Sequence, residues 1–205
     1  MKKIRSILVL LPLIPSLAMA GDLKVDFEFL KRAPSVAIIY ADDKGAKSDE
    51  FVDQLDKKFI RRAYVIAPKN TIEFKNSDVM DHNIYANAPK SGVKFDIGLL
   101  PPGSTANIDN SHWQEDTVVR IGCKIHPKMK TYLANMATSA SMTVEFNKKD
   151  KSYSQVLTGI NSSTQKFAIW MPGYAPIKVA LAKGETKTFD MLKKSKKKGT
   201  VTLSY

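Results

Sequence analysis

Short segments of β-type sequence, separated by turn residues, recur along almost the whole 205-residue chain. Apolar and polar residues alternate in several of them, such as Leu23 to Phe29 and Thr71 to Asn76, which is typical of strands with one buried face. Turn residues such as Pro101-Pro102-Gly103 interrupt the pattern. Short strands at this spacing predict an all-β protein built as a Greek-key sandwich.

The β-patterned segments fall into two sets that meet near residue 136. The first set covers residues 23–29, 35–40, 63–66, 71–74, 83–85, 93–97, 105–108 and 117–121. The second covers residues 141–146, 153–157, 166–170, 177–181, 186–189 and 200–205. We therefore expect one β-sandwich domain over residues 21–136 and a smaller β-sandwich-like C-terminal domain over residues 137–205. Residues 48–58 fit a helical turn or a strand.

The first twenty residues have the layout of a secretory signal peptide. Three basic residues precede an uncharged run from Ile7 to Leu17, and Ala18-Met19-Ala20 then supplies small residues at a cleavage site. The run is too short to span a bilayer, so a retained anchor is the weaker interpretation. We expect cleavage after Ala20, no stable membrane insertion and, in a Gram-negative source, a periplasmic location.

The chain is basic, with a formal net charge of +12. This charge favours anionic partners, and removing residues 1–20 takes away only three positive charges. Five of the lysines lie within residues 193–198. That run lacks the aromatic residues that would stack on bases, and an exported protein does not meet nucleic acid, so we expect a solvated loop and no nucleic-acid partner.

Cys123 is the single cysteine of the chain, which is unusual for a protein expected in an oxidising compartment. It cannot form a disulfide within one molecule. It is therefore either an inert buried thiol or a thiolate kept for catalysis or metal binding.

The residues around Cys123 favour metal binding. Cys123, His126 and Met129 recur at three-residue intervals, and His82 follows the predicted strand at 71–76. A thiolate, two imidazoles and a weak thioether are the donors of a blue-copper centre. A structural zinc site would instead need four strong ligands, with His112 in place of Met129. Nucleophilic catalysis by Cys123, with His126 as base, would leave Met129 and His82 without a role. The remaining alternative is a purely structural β-module in which the Cys-His-Met spacing is accidental.

Five ordered blocks between about Asp53 and Leu133 resemble those of a known family. They are Val52-Asp53-Gln54 with Lys58-Phe59, the segment 67–78, His82-Asn83-Ile84-Tyr85, Phe95-Asp96-Ile97-Gly98 and Gly122 to Met129. The chain resembles the cupredoxins, specifically the bacterial periplasmic plastocyanin/azurin-like (methylamine-utilisation-like) type 1 copper proteins. Its ligand-loop spacing is similar to the short loop of the amicyanin-like members.

The resemblance implies one copper per chain, with His82, Cys123 and His126 as equatorial ligands and Met129 as the axial ligand. It also implies that Asn83 helps to fix the site by bridging to the ligand loop. Many cupredoxins have a small hydroxyl residue after the cysteine, whereas this chain has Lys124. The bridge from Asn83 would therefore have to use the backbone.

The sequence thus predicts a type 1 (blue or green) copper protein that carries single electrons and is not an enzyme. Copper enzymes need further histidines, and only His112 is spare. We expect Lys124, Lys128 and Lys130 to dock an acidic redox partner such as a cytochrome or oxidoreductase. The alternative is copper tolerance or delivery, although the methionines are scattered rather than clustered.

Overall fold

The structure, a computed structural model, describes residues 21–205, so the predicted signal peptide at residues 1–20 lies outside the described residues. These residues form strands joined by turns, with one short 3₁₀ helix at Pro89–Ser91. In chain order the strands are β1 (Gly21–Phe29), β2 (Val36–Ala41), β3 (Phe51–Leu55), β4 (Lys58–Phe59), β5 (Ala63–Ile66), β6 (Thr71–Asn76), β7 (His82–Ala88), β8 (Val93–Leu100), β9 (Thr105–Asp109), β10 (Thr117–Cys123), β11 (Lys130–Asn135), β12 (Ser141–Glu145), β13 (Ser152–Ile160), β14 (Lys166–Trp170), β15 (Ile177–Ala180), β16 (Thr186–Lys193) and β17 (Lys196–Ser204). The predicted all-β class is confirmed.

Two sheets enclose the core of a first sandwich. One has the strand order β5-β11-β10-β7-β8 and the other β4-β3-β6-β9. Strand β6 shows how the sequence builds it, because Ile72, Phe74 and Asn76 are buried while the residues between them are more exposed. Ile72 and Phe74 pack with Ile84, Ile121 and other apolar residues of both sheets.

Two further sheets form a second sandwich, with strand orders β13-β1-β17-β16 and β12-β2-β14-β15. Strand β1 lies between β13 and β17, and β2 lies between β12 and β14. The sequence-based division placed residues 21–41 with residues 42–136, whereas the strand pairing places both strands inside the second sandwich. The alternation in β1 buries Phe27 and Phe29, but it does not specify the partner strand. A domain boundary after residue 136 stays a prediction.

Strand β2 is buried on both faces, which explains its continuous apolar sequence. Ala37, Ile39 and Ala41 point into the core of the second sandwich, whereas Val36, Ile38 and Tyr40 point into a third apolar cluster. This cluster also contains Ala63 and Val65 of β5 and Ala134 of β11. We call it the seam, because it joins the two sandwiches.

Three segments show local structure that the sequence pattern left open or did not predict. Residues 51–55 form a strand rather than a helical turn, and Lys130–Asn135 is a strand that the sequence pattern did not predict. The lysine run at 193–198 is a β-hairpin rather than a loop, with only Lys194 and Ser195 in the turn. Both turn residues have positive φ, as a two-residue hairpin turn of this kind requires. Within residues 21–205, no helix is long and apolar enough to cross a membrane.

Candidate metal centre

Strand pairing brings His82 and Cys123 together across 41 residues of sequence. His82 is the first residue of β7 and Cys123 is the last residue of β10. The two strands are antiparallel neighbours, and Cys123 pairs with Ile84. Both side chains are therefore presented at the same end of the first sandwich. His126 and Met129 follow in the short turn between β10 and β11, which we call the ligand loop (residues 123–129).

Three side-chain donors converge at this end. The Nδ1 atoms of His82 and His126 are 3.1 Å apart, and the Sγ atom of Cys123 lies 3.9 Å and 3.7 Å from them. The centre of the triangle through these atoms is about 2.1 Å from each of them, which matches metal bonds of about 2.0–2.3 Å to imidazole and thiolate. The donor set is a potential copper-binding group.

The two imidazoles differ in their exposure to solvent. His82 is fully buried, and the exposed fraction of Cys123 is 2%. His126 is only half-buried, and its Nε2 atom has no hydrogen-bond partner among residues 21–205. The site is therefore closed on the His82 side and reaches solvent through His126.

Met129 is the last residue of the ligand loop. Its backbone N–H donates a 2.8 Å hydrogen bond to the carbonyl of His126, which closes the ligand loop. Its side chain is buried in the same apolar cluster as Cys123. A thioether in this place is shielded from water.

The buried His82 ring has a second partner that sequence reasoning missed. Its Nε2 atom lies 3.0 Å from the Oδ2 atom of Asp78, which also accepts the backbone N–H of Lys57 at 2.8 Å. The backbone of Lys57 is the main cause that lowers the pKa of Asp78, so the carboxylate stays ionised. An ionised Asp78 accepts a hydrogen bond from the Nε2–H group of His82, which leaves the Nδ1 lone pair free for a metal.

The sequence feature that could have identified Asp78 is its position four residues before His82. Asp81, directly before His82, was the carboxylate considered from the sequence, and it is exposed to solvent. The turn over residues 77–81 therefore directs Asp78 inward and Asp81 outward.

Asn83 links β7 to the ligand loop through its backbone. Its N–H donates to Cys123 Sγ at 3.4 Å, and its carbonyl accepts the N–H of Lys124 at 3.2 Å. The Asn83 side chain turns the other way, where its amide nitrogen donates to Asp96 and to the Gly98 carbonyl, each at 2.8 Å. Its Oδ1 atom is buried and has no partner within the described residues.

The three lysines of the ligand-loop end differ in their surroundings. Lys124 forms an ion pair with Asp96. Hydrogen bonds from Lys124 and then from Asn83 lower the pKa of Asp96 to about 2. Lys128 and Lys130 are exposed and form no ion pair among residues 21–205.

A cleft of about 740 Å³ adjoins the ligand loop, with His126 in its wall. Ile60, Ile125 and Pro127 contribute apolar surface. The basic residues that line it are Lys57, Lys58, Arg62, Lys128 and Lys130. Two carboxylates, Asp56 and Glu145, also line it, and Glu145 is paired with Arg62. The cleft therefore combines an apolar patch with an excess of positive charge. We call it the loop cleft.

His112 does not join the donor group. It is exposed in the turn after β9, whereas the neighbouring Trp113 is buried and stacks on Phe95. Within residues 21–205, no other group of three or more histidine, cysteine or carboxylate side chains converges in this way. The site with one cysteine and three histidines that zinc would require is not assembled.

No protein-family model matches the sequence, and a search of curated proteins finds no relative. Solved structures similar to parts of the chain include cupredoxins, the family that its motifs resemble. A purple cupredoxin from Nitrosopumilus maritimus is 20% identical, with 38% of this chain and 80% of that protein covered and a TM-score of 0.32. An oxidised amicyanin mutant is 15% identical, with 53% and 97% covered and a TM-score of 0.38.

A further similar structure is an enzyme. The Cu-containing nitrite reductase from Thermus scotoductus is 22% identical, and the alignment covers 40% of this chain but only 21% of that protein, with a TM-score of 0.36. All of these likenesses are partial, so the chemistry of the candidate site has to follow from its own geometry.

Proposed function

We propose that this protein is an exported type 1 copper protein that carries single electrons, with copper held by His82, Cys123, His126 and Met129. The observation that carries the proposal is the convergence of two imidazole nitrogens and one thiol sulfur within 3.9 Å of one another. Two nitrogens, one sulfur and a nearby thioether form the donor set in which copper cycles between two oxidation states.

Bound copper would supply the one-electron couple, and the protein supplies donors that its own backbone holds in place. Cys123 and His82 lie at the ends of paired strands, and the backbone of Asn83 supports both the Cys123 sulfur and the residue after it. These contacts are made by the protein and not by the metal, so they hold the donors in place and limit rearrangement when the charge of the metal changes. Low rearrangement is what a carrier of single electrons requires.

The protein is a carrier rather than an enzyme. The three clustered donors and the thioether of Met129, which is buried in the same apolar cluster as Cys123, would together fill the four positions of a type 1 copper site and leave none for a substrate. Electrons enter and leave through His126, because this ligand alone of the three clustered donors reaches the surface. The predicted location is the periplasm, after cleavage behind Ala20.

The partner is an acidic redox protein, such as a cytochrome or oxidoreductase, that docks on the loop cleft. Lys128 and Lys130, which form no ion pair among residues 21–205, provide positive charge beside His126, and Lys57 and Lys58 extend it. Lys124 contributes less than the sequence suggested, since Asp96 already neutralises it. The apolar surface of Ile125 and Pro127 gives the partner a desolvated contact at the centre of this basic rim.

The test is a copper titration of the purified metal-free protein, followed by visible absorption. We expect an intense thiolate-to-copper band that reaches its plateau at one copper per chain. Cys123→Ala should abolish the band and His126→Ala should weaken binding strongly, whereas His112→Ala, an exposed histidine outside the cluster, should change neither. Absence of the band together with tight zinc binding would overturn the proposal.

A further inference from the structure

A second cleft, of about 710 Å³, lies where the two sandwiches meet. Tyr132 of β11 lines it from the first sandwich, and Tyr174 lines it from the second. Half of its twelve lining residues are basic, namely Lys31, Arg32, Lys193, Lys194, Lys196 and Lys198. No carboxylate lines it. We call it the seam cleft, and none of the proposed copper ligands takes part in it.

The backbone holds three separate segments around the seam cleft. The N–H of Leu30 donates to the carbonyl of Lys198 at 2.9 Å, which places the next residues, Lys31 and Arg32, beside β17. The N–H of Ala175 donates to the carbonyl of Leu192 at 2.8 Å and so ties the segment of Tyr174 to β16. The β16–β17 hairpin thus becomes one wall of a built concavity.

The positive charges in the seam cleft are not neutralised by the protein. None of its six basic side chains forms an ion pair within the described residues, and the Nζ atom of Lys193 lies 5.5 Å from the centroid of the Tyr174 ring. Lys197 of the same hairpin points elsewhere and pairs with Asp190. Six like charges around one cavity repel each other, and an anion between them would relieve that repulsion.

We propose that the seam cleft binds a small polyanion with several phosphate groups. A volume of this size suits a small molecule rather than a protein surface. Five of the six cations are lysines, which act as mobile point charges and recognise the number of anionic groups more than their geometry. Because the charges surround a concavity, they converge on a ligand that enters it, whereas the headgroups of a bilayer lie in a plane.

The test uses inorganic tripolyphosphate as the probe, titrated into the purified protein by calorimetry at low ionic strength. We expect saturation at one anion per chain. Lys194→Glu combined with Lys196→Glu should weaken binding at least about tenfold, because two of the six cations become anions. The matched control combines Lys90→Glu with Lys94→Glu, which makes the same charge change at exposed positions of the first sandwich and should alter affinity less than about threefold.

A second variant keeps the test valid if the turn tolerates glutamate poorly. Lys193→Ala combined with Lys198→Ala removes two charges outside the turn and should also weaken binding of tripolyphosphate. Thermal unfolding of this variant checks that the protein is folded. Equal weakening by the control pair would overturn the proposal, as would saturation at several anions per chain. Binding to phosphatidylglycerol vesicles through the same lysines, without saturable binding of tripolyphosphate, would also overturn it in favour of a lipid surface.

Discussion

The Nε2 atom of His82 lies 3.0 Å from the Oδ2 atom of Asp78, and both side chains are buried. The carboxylate is itself held by the backbone N–H groups of Lys57 and Val79, each at 2.8 Å. A histidine that binds a metal through one nitrogen commonly donates its other N–H to such a group, which fixes the ring and makes it a stronger donor. The orientation of the His82 ring, with Nδ1 toward Cys123 and His126, is therefore set by Asp78 rather than by its strand alone.

Replacing Asp78 by asparagine should weaken copper binding about 10–100-fold, because the partner of a metal-binding histidine is lost. It should also raise the reduction potential of the copper-loaded protein, since removing a buried negative charge disfavours Cu(II) more than Cu(I). Competition against a chelator measures the affinity, and voltammetry measures the potential. Asp81→Asn is the control, because Asp81 is adjacent in sequence but exposed. Equal effects of the two variants would contradict a specific role for Asp78.

Replacing Met129 by leucine should leave the fold intact, at a cost below about 1.5 kcal/mol, because the two side chains have similar volumes. It should raise the reduction potential, since a weak thioether donor stabilises Cu(II) more than Cu(I). Met136→Leu is the matched control, because Met136 is equally buried but packs in the seam. A potential that stays at the wild-type value would show that Met129 is not a ligand.

Charge reversal at Lys128 and Lys130 should slow oxidation of the reduced copper protein by the anionic reagent ferricyanide by about tenfold at low ionic strength. Lys124→Glu should slow this oxidation less than reversal of either Lys128 or Lys130, because Asp96 already offsets the charge of Lys124. Stopped-flow rates over a range of salt concentrations measure both effects, which should disappear together as salt screens them. Rates independent of salt in the wild-type protein would argue against electrostatic docking at this end.

Asp43 should make the stability of the protein depend on pH. Burial raises the pKa of its carboxyl, but hydrogen bonds from Ser139, Gly45 and Thr164 together lower it more, so that it lies below the ordinary value of 3.8. Because the pKa is lower in the folded than in the unfolded chain, the stabilisation is complete above about pH 4–5 and is lost as the pH falls through 3.8 toward the folded value.

Urea unfolding between pH 2.5 and 6 tests this role of Asp43. Asp43→Asn should lower the free energy of unfolding by about 1–3 kcal/mol at pH 6, and the difference from wild type should shrink toward low pH. Asp22→Asn, at an exposed position of β1, is the control and should have little effect at any pH. A constant difference between Asp43→Asn and wild type across the range would contradict the pH dependence.

Local sequence determined which residues of a strand face a core. The alternation at residues 71–76 predicted the buried side of β6, and the unbroken apolar run at residues 36–40 predicted a strand that proves to be buried on both faces. The three-residue spacing of Cys123, His126 and Met129 likewise placed all three of these side chains in the ligand loop. These features depend on neighbours within a few residues, so they can be read without the fold.

Tertiary structure decided which distant segments meet. Strands β1 and β2 could not be assigned to the second sandwich from sequence, because alternation specifies a face and not a partner strand. Three other contacts also depend on long-range folding. Asp78 contacts His82, and Asp96 neutralises Lys124. Lys31 and Arg32 lie beside the lysine hairpin. Each depends on the path of the backbone between the residues, which long-range packing and strand pairing determine.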